Sequence, residues 1–61
     1  METEMPQDLW SALEREGLHE RFAAMSPSHR FEWLRAIGDA KRPETRAKRI
    51  NECVDAVRAR R

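Results

Sequence analysis

The chain has 61 residues, of which 38% are charged, with one cysteine, no tyrosine and a formal net charge of +1. A single core below roughly 70–80 residues rarely supplies more than ~3–5 kcal/mol, so this length allows one marginal domain. One cysteine excludes an internal disulfide, and Cys53, His19 and His29 lack neighbours at zinc-ligand spacing, so the usual staples of a small domain are not encoded.

The first element in chain order is a helix over about residues 6–16. Pro6 suits a first helical turn, Leu9, Trp10 and Leu13 form one apolar stripe, and Gly17 supplies a stop. A short helix is predicted over about 18–25, with Leu18, Phe22 and Met25 at i, i+4, i+7. The third helix, about 27–40, has the clearest start. Ser26 is a good N-cap and Pro27 follows at the first helical position. Trp33, Leu34, Ile37 and Ala40 share its broad apolar face, with Phe31 at the edge. The fourth helix, about 43–59, carries Ile50, Cys53, Val54 and Val57 as a tight stripe. No segment alternates with period two. The expected fold is therefore all-α, a single domain over 1–61 built as a small bundle of three to four helices. The short Lys41-Arg42 connection makes the last two a C-terminal antiparallel αα-hairpin. The tail Arg58-Ala59-Arg60-Arg61 is expected to fray.

Residues 1–25 carry six acids and two bases, and the remainder five acids and ten bases. Either the halves neutralise each other, or the rear offers a basic face to an anionic partner. Arg30 lies one turn before Leu34 and Arg46 one turn before Ile50, so both fall on core-facing arcs where a guanidinium needs a partner. They are assigned as structural ion-pair anchors. Expected partners are Glu52 or Asp55 for Arg30, and for Arg46 the Ile37–Asp39 region or acids of the first helix such as Glu14 or Glu16. Lys41, Arg42, Lys48 and Arg49 form the candidate partner contacts, although they spread over more than one side of a helical wheel. His29 follows Ser28 directly, and no third residue is placed to orient it, so no catalytic pair is read there. His19 reads as a polar-surface residue, Trp10 and Trp33 as packing residues, and Cys53 as a small buried hydrophobe. No catalytic, cofactor-binding or metal-ligating residue is assigned.

Met1 to Gln7 shows neither the basic start nor the apolar run of a secretory leader, and no stretch reaches the about 20 apolar residues that span a bilayer. The expected location is cytoplasmic, without membrane insertion.

The stretch Ser26-Pro27-Ser28-His29-Arg30, then Glu32-Trp33-Leu34-Arg35, Ile37 and the run Ala40-Lys41-Arg42-Pro43-Glu44-Thr45-Arg46-Ala47-Lys48-Arg49-Ile50 resembles the C-terminal module of the bacterial YdeI/OmpD-associated family, also labelled bacteriocin protection. Phe31 stands where that family usually has a polar residue, Ala36 where it has tryptophan, and Gly38 where a better helix former is expected. The separate N-terminal domain of many members has no counterpart in these residues. The resemblance implies a bacterial helical module with a bacteriocin-protection or envelope-stress role, and names no reaction, cofactor or catalytic residue. The functional expectation is a non-enzymatic interaction module that binds a protein partner or a second copy of itself. Weak sequence-independent nucleic-acid binding through the basic C-terminal helix is the second reading, and would show as steeply salt-dependent affinity.

Overall fold

The computed structural model describes residues 6–59, and there the chain forms four helices: α1 (Gln7–Arg15), α2 (His19–Ala23), α3 (Pro27–Asp39) and α4 (Pro43–Ala59). No strand occurs among the described residues. The readings made for Met1–Met5 and for the Arg60-Arg61 end of the tail lie outside them. The architecture is a small all-α bundle. α4 is its hub, with α1 and α3 both packed on it, and α1 also packs on α2.

The turn from α1 to α2 shows how local sequence sets the path. Gly17 adopts φ +70°, the left-handed conformation in which a Cβ is strained. The Gly17 N–H donates to the Glu14 carbonyl at 3.0 Å, and the Leu18 N–H reaches back to the Leu13 carbonyl at 2.8 Å. These two bonds make a Schellman motif, accompanied by its usual apolar pair, since Leu13 and Leu18 are both buried. Leu18 is therefore held outside α2, which leaves that helix at five residues, shorter than its apolar spacing suggests. The start of α3 is as its sequence indicates. The Ser26 hydroxyl accepts from the His29 N–H at 3.4 Å, and Pro27 sits in the first turn. That helix ends one residue early, at Asp39, because Ala40 is extended with ψ 119° as the chain turns towards Pro43.

The core consists of Leu9 and Leu13 from α1, Leu18, Phe22 and Met25 around α2, Ile37 from α3, and Ile50, Cys53, Val54 and Val57 from α4. The helices share it unequally. α4 buries four side chains and α3 only Ile37, with Trp33 and Leu34 half-buried at its margin. The Cα trace measures 31 × 27 × 16 Å, a thickness that admits about two layers of helices.

The two glycines carry opposite expectations. Gly17→Ala forces a Cβ into a left-handed turn and is expected to destabilise by about 1–2 kcal/mol. Gly38 lies inside α3 at ordinary helical φ, with no atom within 4 Å of where a Cβ would stand, so Gly38→Ala is expected to stabilise by about 0.5–1 kcal/mol. Denaturant midpoints for the two variants should move in opposite directions. A shared sign would refute this account of the two glycines.

Candidate functional site

A helix leaves its last four carbonyls without intrahelical donors. In this protein three arginines answer that need from outside the helix they serve. Arg30, in the first turn of α3, donates from Nη1 to the carbonyls of Ala23 and Met25, each at 2.6 Å, across the end of α2. Arg46 donates from Nη1 to the Ile37 carbonyl at 3.3 Å, and Arg49 from Nη1 to the Ala36 carbonyl at 2.5 Å. Both of these acceptors belong to the last turn of α3. That turn has no basic residue of its own and carries Asp39, whose charge opposes the helix dipole. The cations that complement it come from the first two turns of α4.

A second set of contacts joins the acidic front of the chain to its basic rear. Arg46 grips Asp8 with both remaining nitrogens, Nε to Oδ2 at 2.6 Å and Nη2 to Oδ1 at 3.1 Å. The fork geometry suits a carboxylate and gives this pair directional strength that a lone surface ion pair lacks. Arg58 bridges Glu16 at 2.5 Å and Asp55 at 3.0 Å, both well exposed, and contributes less. The hydrogen bonds from Arg46 hold the Asp8 carboxyl below its ordinary value, overcoming the opposing effect of partial burial. The same contact raises the Arg46 guanidinium, so it stays cationic throughout. Burial pushes the Cys53 thiol up to about 11 and suppresses its thiolate.

Several expectations need correction at this point. Arg30 meets backbone carbonyls and not Glu52 or Asp55, because α2 ends directly beside the start of α3. Arg46 meets both the Ile37 carbonyl and an acid of the first helix, as expected, but that acid is Asp8 and not Glu14 or Glu16. Arg49 is half-buried and turned inward to Ala36, so it leaves the set of free surface contacts. His19 is half-buried, packed edge-on against Trp10 with ring centroids 5.4 Å apart, and not on an open polar face. Its Nδ1 is enclosed without a partner among the described residues. Lys41, Arg42 and Lys48 are exposed, and no hydrogen bond or ion pair among the described residues engages them. On the outer face of α4, Lys48 stands one turn from Glu44 and one turn from Glu52.

The sequence reading missed Asp8 as a fork partner and the capping role of Arg49. The available signal was modest. Asp8 lies in the first turn of α1, where a carboxylate is favoured by the dipole, and Arg49 sits one turn past Arg46.

Glu32, Trp33 and Ala36 line an open hollow of about 260 Å³ on one flank of α3. Ala36 forms part of it with the smallest side chain that still helps the helix. Among the described residues, no three of His, Cys, Asp and Glu come together around a metal-sized space. No helix there is long and apolar enough to cross a membrane. On the other flank of α3, Phe31 is 53% exposed, the one large hydrophobic side chain left open among the described residues.

These features define a small helical domain whose arginines cap helix ends inside the fold. Residues 2–60 match the family described as bacteriocin-protection, YdeI or OmpD-associated, and the chain belongs to that family. No curated protein and no solved structure matches it. Most of the arginines in the motif that carries the resemblance now have a physical role, since Arg30, Arg46 and Arg49 are the three caps.

Two outcomes test the arginine arrangement. Arg30→Ala removes a charged donor from two carbonyls and is expected to destabilise by about 1–2 kcal/mol, a fall in Tm of roughly 5–10 °C at this size. Arg30→Lys should recover only part of that, and an unchanged Tm for Arg30→Ala would refute the cap. Stability should also have two edges in pH. Asp8 has a lowered folded value, so its contribution is present above 3.8 and is lost as pH falls through the folded value. Cys53 has a raised folded value, so its contribution is present below 9.0 and is lost as pH climbs towards about 11. Urea midpoints followed across pH should show the acid edge shrink in Asp8→Asn and the alkaline edge shrink in Cys53→Ala.

Proposed function

We propose that this domain is a non-enzymatic protein-interaction module, and that it contributes to bacteriocin or envelope-stress protection from the cytoplasm by binding a protein partner. The observation that carries this reading is that, among the described residues, Phe31 is the one large hydrophobic side chain left exposed. Exposed aromatic residues recur as anchors in protein interfaces, where they combine large area with little lost rotamer freedom. The hollow beside Trp33 is open to solvent and has Glu32 as its one ionisable lining residue. General acid–base or nucleophilic chemistry requires a second positioned group.

The alternative reading, sequence-independent nucleic-acid binding, has Lys41, Arg42 and Lys48 in its favour. Against it, Arg46 and Arg49 are turned into the fold, the exposed Arg58 is paired with Glu16 and Asp55, and Glu44, Glu52 and Asp55 share the outer face of α4 with Lys48. Affinity for duplex DNA falls with salt at about 0.9 log units per log unit for each phosphate neutralised, so Lys41, Arg42 and Lys48 by themselves support only weak binding.

The test is direct. In bacteria challenged with a bacteriocin, Phe31→Asp should lose the protection given by the unaltered chain while keeping its melting temperature. A tryptophan-fluorescence titration with duplex DNA at physiological salt should be flat. Tight binding that collapses with added salt would overturn the protein-interaction reading in favour of the basic surface.

A further inference from the structure

We draw no further inference here: the strongest candidate, the open hollow on the flank of α3 lined by Glu32, Trp33 and Ala36, is built from a single helix with one ionisable side chain, and nothing in the structure shows what covers it.

Discussion

A five-residue helix has nearly as many orphan carbonyls as residues, and isolated helices shorter than about 12–15 residues are marginal in water. α2 and α1, at five and nine residues, lie well below that length, and α3 barely reaches it. The interaction on which this fold depends is therefore the guanidinium-to-carbonyl bond at a helix end. Arg30 closes α2, and Arg46 and Arg49 close α3, each from the first two turns of the following helix. A helix start thus stabilises the preceding helix end. Each bond couples adjacent elements, so the short helices form together with their neighbours.

The same bonds take three of the chain's twelve Lys and Arg into the fold. Arginine suits the task better than lysine, because its planar fork can serve a carbonyl and a carboxylate at once, as Arg46 does with Ile37 and Asp8. Along α4 the inward arc holds Arg46, Arg49, Ile50, Cys53, Val54 and Val57, while Glu44, Lys48, Glu52 and Asp55 face solvent with mixed sign. Arg49, which looks like part of a binding surface in the linear sequence, is a fastener in the folded chain, whereas Lys41, Arg42 and Lys48 stay exposed. The one large apolar side chain left exposed among the described residues, Phe31, lies on α3.

That helix also shows where the bundle falls short of enclosing itself. A structure two layers thick has few positions that are covered from all sides, and α3 reaches full burial only at Ile37. Its flanks are left with an open hollow beside Trp33 on one side and the exposed Phe31 on the other. In a chain of this size, covering one such flank with a partner would add apolar burial that the single chain cannot supply.

The sequence by itself determined the helices, because their signals are local. Pro27, Pro43, Ser26 and Gly17 act within one turn, and the stripes of Leu9 and Leu13, or of Ile50, Cys53, Val54 and Val57, need only the helical period to be read. It also marked Arg30 and Arg46 as residues requiring a partner, since a cation on a core-facing arc cannot be left unpaired. The identity of those partners was decided only in three dimensions. Backbone carbonyls carry no sequence signature, so nothing in the chain announces that Ala23, Met25, Ala36 and Ile37 will be the acceptors. Likewise Asp8 and Arg46 stand thirty-eight residues apart, and only the packing of α1 on α4 brings them within 2.6 Å. Helical period and capping are properties of neighbouring residues, whereas a long-range hydrogen bond depends on how whole helices are laid against each other, which tertiary packing alone fixes.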